Sequence, residues 1–487
     1  MLANLNRRQK TGLCVGPLLF LIVLLLPVPE GMSPEALRVS AVALLMATFW
    51  MAETLPIPVT AVLPIFMFPL LRILPTAEVT LAYGDQILFL FMGGFIIAIA
   101  MQKWNLHRRI ALTVVSKVGS SPERLVLGMM VATALISMWV SNTATAMMMT
   151  PVGIAVIEST RHTDENRAIG KVNSPDNFAI ALMLSIAYAA SIGGLATLVG
   201  TPPNAIFIGL LDRLYDQQIS FFDWMKLGLP VSVLLLTLCW FLLTKVFFRM
   251  KDANADNADA RLYIDGELAR MGPISAEESR VAGVFALVAI AWVLRGLINA
   301  PALSMVSDSA IAMAGAFMLF IIPAGRDKGG FLLDWESAVG IPWDVILLMG
   351  GGFALAEGFT TTGLTEWLAG QLGVLQGMPV FVMMLVVVVF IVFIGEMTSN
   401  AATATMFIPV MGALAVSMGL APLTLMVPTV IATSLGFMLP VATPPNAIVF
   451  GSRYLTIENM VKAGFWLNIG GALIVAVLCY YLLGVVE

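Results

Sequence analysis

The chain has 487 residues, 59% of them hydrophobic and only 11% charged, with 26 basic and 30 acidic side chains giving a formal net charge of −4. A soluble domain carries about a quarter of its residues as charges, so this composition excludes a water-solvated globule, places most of the chain in lipid and suggests no nucleic-acid partner. Cys14, Cys239 and Cys479 sit in apolar segments without metal spacing, so no disulfide is expected.

The first apolar run, residues 13–29, follows a basic segment as a signal peptide would. Pro27, Pro29 and Glu30 offer no small-residue cleavage site, so it reads as a retained span. Eleven full spans are expected, at about 13–29, 36–52, 56–72, 86–101, 178–199, 229–248, 280–299, 303–323, 342–356, 423–441 and 460–483. Residues 122–159 and 379–417 are each too long for one helix and carry a polar Ser-Asn motif in the middle. A re-entrant helical hairpin fits both, with its tip buried in protein or lining a wet cavity, because loop backbone exposed to hydrocarbon is too costly.

With a cytoplasmic N terminus and both regions re-entrant, 21 of the 26 Lys and Arg fall on the cytoplasmic side. Only Arg38, Arg72, Arg213, Lys226 and Arg295 fall outside, and residues 485–487 lie outside as well. The water-loving stretch 251–279 reads as a cytoplasmic linker.

The two halves repeat. At a shift of 258, Phe95 falls on Phe353, Ser141 on Ser399, Asn142 on Asn400 and Pro151 on Pro409; GTPPNAI from Gly200 matches ATPPNAI from Ala442 at a shift of 242. The charge map puts the two interrupted regions on opposite sides, so the repeats are inverted, as in secondary transporters with a site at the repeat interface.

The Pro pairs 202–203 and 444–445 remove backbone donors and disfavour helix before them. Breaks are therefore expected at Gly200–Thr201 and Ala442–Thr443. Each break and each Ser-Asn tip exposes carbonyls at one helix end and N–H groups at the next start. A hard cation takes clustered neutral oxygens, and a carboxylate takes helix N-termini. Four helix starts, each about +0.5 before screening, can receive a dianion without a basic side chain at midplane depth. Glu396 either joins an ion site or pairs structurally.

SNTATAMMMTP from Ser141, SNAATATMFIP from Ser399, the paired TPPNAI motifs and FWMAETLPIPVTAVLP resemble the divalent anion/sodium symporter family, over nearly the whole chain. That family includes bacterial sodium-coupled dicarboxylate transporters of the INDY type. The resemblance implies an all-α elevator-type transporter and a homodimer in a bacterial inner membrane. Its scaffold parts would be residues 1–118 and 280–378. Its transport parts would be 119–250, with hairpin 122–159 and broken helix 178–211, and 379–487, with hairpin 379–417 and broken helix 423–451.

By the same motifs, two or more Na⁺ are implied. One would bind at Ser137, Ser141, Asn142 and the Gly200 carbonyl. A second would bind at Gly395, Thr398, Ser399, Asn400 and the Ala442 carbonyl. A dicarboxylate would meet Asn142, Thr143, Thr201, Pro202, Asn400, Ala401, Thr443 and Pro444. Ala401 departs from the Ser-Asn-Thr of many bacterial members; it lacks a hydroxyl but keeps an N–H. The function expected is sodium-coupled uptake of C4 dicarboxylates such as succinate, malate and fumarate. The alternatives are a dicarboxylate or tricarboxylate exchanger, or a sodium-coupled citrate or sulfate carrier. An enzyme is not expected: no paired-Asp or Ser–His arrangement occurs at depth.

Overall fold

The computed structural model describes residues 6–165, 177–250, 258–298, 305–325, 329–371 and 377–483. Residues 485–487 and the basic residues Arg167, Lys171, Lys251, Arg326 and Lys328, used above to orient the chain, lie outside the described residues. Among the described residues the fold is helical, with one isolated bridge between Pro323 and Phe331.

The first half runs α1 (Arg7–Leu25), α2 (Pro34–Ala52), α3 (Ile57–Ala61), α4 (Leu63–Leu70), α5 (Thr76–Leu81), α6 (Gln86–Lys103), α7 (Leu106–Val118), α8 (Pro122–Ser137), α9 (Asn142–Glu165), α10 (Asn177–Gly194), α11 (Pro202–Tyr215) and α12 (Phe221–Phe241). Helix α13 (Ala258–Met271) occupies the stretch expected as a linker. The second half runs α14 (Ala276–Leu297), α15 (Asp308–Ile321), α16 (Trp335–Ala338), α17 (Trp343–Thr361), α18 (Leu364–Gln371), α19 (Val380–Gly395), α20 (Asn400–Ser417), α21 (Leu423–Thr433), α22 (Pro444–Gly451) and α23 (Ile457–Leu482).

Among the described residues, eight helical segments are long and apolar enough to cross a bilayer. Seven coincide with expected spans; the eighth, α20, is an arm of the expected second hairpin. The expected span 56–72 is two short helices, because Pro64 opens a new helix at α4. The span 423–441 stops at Thr433, for reasons that lie in the site.

The repeat is carried by element boundaries. Helices α8 and α19 superpose at both ends under the 258-residue shift, as do the starts of α7 and α18 and of α9 and α20; α11 and α22 start 242 residues apart. Helix α10 is buried on every face from Ala179 to Gly194, as the central element of a helical body must be. Helix α1 is the opposite: Leu18, Leu21, Ile22 and Leu25 are exposed apolar side chains suited to lipid. Its inner face carries Gly12 and Gly16, where an added Cβ would meet Ala52 and Thr54 or Phe49 of the α2 region at under 3 Å. Small residues four apart let the two backbones approach closely.

Candidate functional site

The four helix starts expected from the sequence are present. Ser141 precedes α9, its Oγ accepting from Ala144 N at 3.4 Å. Ser399 caps α20, accepting from Ala402 N at 3.2 Å. Thr201 and Thr443 stand before the Pro pairs that open α11 and α22. Their φ values of −143° and −140° are extended, as a residue before proline prefers.

The breaks are wider than the prolines require. Helix α10 ends at Gly194 and α21 at Thr433, so the non-helical bends run from residue 195 to 201 and from 434 to 443. Each bend is fixed by an asparagine of the following helix. Asn204 Nδ2 donates to the carbonyls of Gly194 (3.3 Å) and Thr197 (2.8 Å). Asn446 Nδ2 donates to Gly436 and Leu439, both at 3.0 Å. All three residues of one staple map onto the other at the 242-residue shift. Freed bend carbonyls must be paired when buried. Trp224 Nε1 reaches Leu195 O at 3.0 Å, Ser232 Oγ reaches Ile192 O at 2.9 Å, and Tyr188 OH reaches Phe437 O at 2.8 Å.

At the first tip, Asn142 Oδ1 lies 2.7 Å from Ser137 Oγ. The same atom faces the carbonyl oxygens of Ala190 at 3.0 Å and Gly200 at 3.2 Å. Ser137 Oγ also donates to Ala190 O at 2.6 Å. Four oxygens thus crowd together around one amide. Either the amide turns and shares its two N–H donors among Ser137 Oγ and the Ala190 and Gly200 carbonyls, or a cation satisfies the oxygens as they stand. An added Cβ at Gly194 would meet Asn142 Oδ1 at 2.5 Å, and one at Gly200 would meet Gly194 O at 2.4 Å. The structure therefore brings Ser137, Asn142 and Gly200 together, as expected. It adds Ala190 and Gly194. Ser141 contributes its side chain to the helix cap.

The second tip is built differently. Thr398 Oγ1 pairs with Thr403 Oγ1 at 2.5 Å and contacts Ile394 O at 3.3 Å. Asn400 Oδ1 is buried and has no hydrogen-bond partner among the described residues. A Cβ added at Gly436 would lie 3.9 Å from that atom, 3.2 Å from Ala442 Cβ and 3.5 Å from Thr443 Cγ2. So Asn400, Ala442 and Thr443 converge on Gly436, the counterpart of Gly194. A Cβ added at Gly395 would have Thr433 O at 3.8 Å, and the Gly395 carbonyl accepts from Thr398 N at 3.4 Å. Pro444 is exposed, and Thr143, Pro202 and Ala401 are half-buried.

Glu396 resolves in favour of structural pairing. Its carboxylate accepts from the backbone N–H groups of Phe437 (2.7 Å), Met438 (2.9 Å) and Leu439 (3.1 Å) and from Asn468 Nδ2 (2.6 Å). Those contacts hold the second bend open and end α21 early. The first tip has Met138 at the matching position and uses backbone there: Thr197 Oγ1 donates to Met138 O.

A basic side chain reaches the second tip: Arg8 Nη2 donates to Met397 O at 2.7 Å. Nothing in the local sequence around Arg8 signals a contact 389 residues away. A cavity of about 470 Å³ lies elsewhere, beside Leu198 of the first bend, with Asp212, Asp223, Asp308 and Arg295 among its walls. Its charged groups are engaged: Asp308 accepts from Arg295 at 2.9 Å and from Phe221 N at 3.0 Å.

Comparison with known proteins follows the same frame. A family model described as sodium:sulfate symporter transmembrane region matches residues 8–486. The sodium-dependent dicarboxylate transporter SdcS of Staphylococcus saprophyticus is 41% identical over 480 residues, covering 98% of this chain and 92% of the relative. SdcS of Staphylococcus aureus is 41% identical over 481 residues with the same coverage, 98% and 92%. The backbone is similar to the YdaH transporter of Alcanivorax borkumensis, with a TM-score of 0.57 and 14% identity over 99% of each chain. It is also similar to MtrF of Neisseria gonorrhoeae, with a TM-score of 0.58 and 13% identity over 98% of this chain and 96% of that one. At those identities the structural likeness concerns the fold alone. The doubled tips and bends, set within a match that spans nearly every residue, lead to one assignment: this multi-pass membrane protein belongs to the sodium:sulfate symporter transmembrane family.

Proposed function

We propose that the protein is a secondary transporter that couples the sodium gradient to uptake of a C4 dicarboxylate such as succinate. The observation that carries this reading is the convergence at the first tip of Ser137 Oγ, the Asn142 amide and the carbonyls of Ala190 and Gly200 within 3.2 Å. With the amide oxygen turned inward, these are the neutral oxygens that a small hard cation takes. The unpartnered Asn400 Oδ1 beside Ala442 supplies the start of a second cation position. The starts of α9 and α20 present first-turn N–H groups to a dianion, whereas α11 and α22 open on Pro202–Pro203 and Pro444–Pro445, which have no N–H, and contribute their helix dipoles. Two bound Na⁺ then offset the charge that a dicarboxylate brings into a low-dielectric site.

In this reading the chain has eleven spans and two re-entrant hairpins (α8–α9 and α19–α20) in inverted repeats, with a cytoplasmic N terminus. It forms a homodimer in a bacterial inner membrane. Residues 119–250 and 379–487 move as the transport part against a scaffold of residues 1–118 and 280–378. The SdcS proteins, named for sodium-dependent dicarboxylate transport, support the substrate class. The family description supports sulfate as the rival anion.

The test is purified protein in liposomes with an imposed sodium gradient and a panel of labelled succinate, malate, citrate, α-ketoglutarate and sulfate. Succinate should accumulate only when sodium is present outside. Accumulation indifferent to sodium rejects the coupling; a requirement for internal counter-substrate makes the protein an exchanger; sulfate alone accumulating moves it to the rival class.

A further inference from the structure

Arg8 has a geometry that its neighbours do not require. It shares one face of α1 with Gly12 and Gly16, spaced four residues apart, so it points at the end of α2 along the line where the two helices are pressed together. Part of its role there is ordinary. Its Nη2 donates to Met51 O at the C-terminal end of α2, and Gln9 Nε2 donates to Glu53 O at 3.2 Å. Basic groups commonly bond the last carbonyls of a helix in this way. The bond from the same Nη2 to Met397 O is not explained by capping α2. Met397 lies between Glu396, which fixes the second bend, and Thr398, which opens the second cation group. Its own side chain is 66% exposed, so protein does not bury the tip at this point.

We propose that Arg8 is a positioning residue that ties the tip of the second hairpin to the end of α2 and so holds the carrier in the arrangement described here. This rests on the transport reading above, in which α1 and α2 belong to the stationary part and α19–α20 to the moving part. A single guanidinium nitrogen then bridges a stationary carbonyl and a moving one. When the tip travels, Met397 O leaves Arg8, and both groups pass to water or new partners. The bond thus favours the state in which the tip lies at the face that carries residues 6–10. A carrier biased to one face binds ligand from the other face with an affinity reduced by the fraction in the competent state.

The experiment compares Arg8→Gln and Arg8→Lys with the parent protein in liposomes. KM for sodium and succinate is measured at the face opposite residues 6–10. In parallel, Met397→Cys, in a Cys14→Ser background because Cys14 is exposed, is labelled with a membrane-impermeant maleimide from the face that carries Arg8. Arg8→Gln should lower both KM values by about three-fold or more and slow the labelling by a similar factor. Arg8→Lys, which keeps the charge and several donors, should stay within about two-fold of the parent. Unchanged KM and unchanged labelling in Arg8→Gln would reduce Arg8 to a cap on α2. If the parent accumulates no dicarboxylate, the transport reading fails by itself, and the labelling rates still decide whether Arg8 holds the tip.

Discussion

The two hairpins have first helices of matched length and second helices that start in register, yet their tips are secured by opposite means. The first tip is secured by close packing. Its glycine and serine positions leave no room for a Cβ at Gly194 or Gly200. Trp139 stacks on Phe221 at 5.9 Å and meets Phe285 edge-on at 4.8 Å. The second tip is secured by charge. Glu396 gathers three backbone N–H groups and an amide, and Arg8 holds the next carbonyl. The charged tip is also the more open: Met397 is 66% exposed and Val441 64%, whereas at the matching positions of the first tip Trp139 is half-buried and Val199 buried. A duplicated frame preserves helix boundaries because the capping residues and prolines are local. What fixes each tip is supplied by the rest of the chain, and so it diverges.

The largest effect expected is common to both tips. Asn142→Ala and Asn400→Ala each remove an amide oxygen from a proposed cation group, and each should abolish sodium-driven succinate uptake while the variants still purify as folded protein. Normal uptake by either one removes that tip from the site.

The next effect should separate the tips. Glu396→Ala strands the buried Phe437 N–H and Asn468 amide and unpairs the half-buried N–H groups of Met438 and Leu439, at a cost of about 3–5 kcal/mol, since each unsatisfied buried donor costs about 1–3 kcal/mol. Met138→Ala at the matching position loses only packing, about 2 kcal/mol for a half-filled cavity. Thermal unfolding in detergent should therefore rank Glu396→Ala well below Met138→Ala. Equal midpoints would mean that the carboxylate does not hold the second bend.

A smaller contrast concerns glycine. Gly200→Ala places a Cβ 2.4 Å from Gly194 O, between two backbones that cannot both yield. Overpacking of this kind costs about 1–3 kcal/mol, and it should disturb the oxygen cluster enough to weaken sodium activation of uptake. Gly395→Ala meets nothing closer than 3.8 Å and should leave both stability and sodium activation near the parent values. The reverse order would show that the first tip is the looser one.

The smallest effect lies away from the tips. The hydrogen bond from Lys103 lowers the Asp334 carboxyl to about 2, with further help from Ser337. Because its folded pKa lies below the unfolded one, this group contributes stability above the ordinary carboxylate range of about 4, and the contribution fades as pH falls towards about 2. The advantage of the parent over Asp334→Asn should be slight at neutral pH, as exposed ion pairs allow, and should shrink across that acid window. An advantage that grows with acidification would contradict the pairing.

Much of the site could be read from the sequence. The starts of α9, α11, α20 and α22 follow from Ser-Asn and Thr-Pro-Pro, since caps and prolines act on their immediate neighbours. The asparagines at 204 and 446 were visible in the TPPNAI repeat, although their stapling role was not, and the matched glycines at 194 and 436 lie outside that motif. The ends of α10 and α21 were not legible. They are set by side chains that arrive from elsewhere: Asn204 and Asn446 from the next helix, and Glu396 from the hairpin. The Ala190 carbonyl carries no residue signature at all, because any residue offers the same atom. Arg8 lay beyond reach for a related reason: its two acceptors are backbone oxygens on helices remote in sequence.

The account rests on sodium bound at the tips making the site receptive to a dicarboxylate. Succinate titrated calorimetrically into the purified protein, once in sodium and once in potassium at equal ionic strength, tests this directly. Binding in sodium, none in potassium, and loss of binding in both Asn142→Ala and Asn400→Ala is the predicted result. The same dissociation constant in the two salts would contradict it.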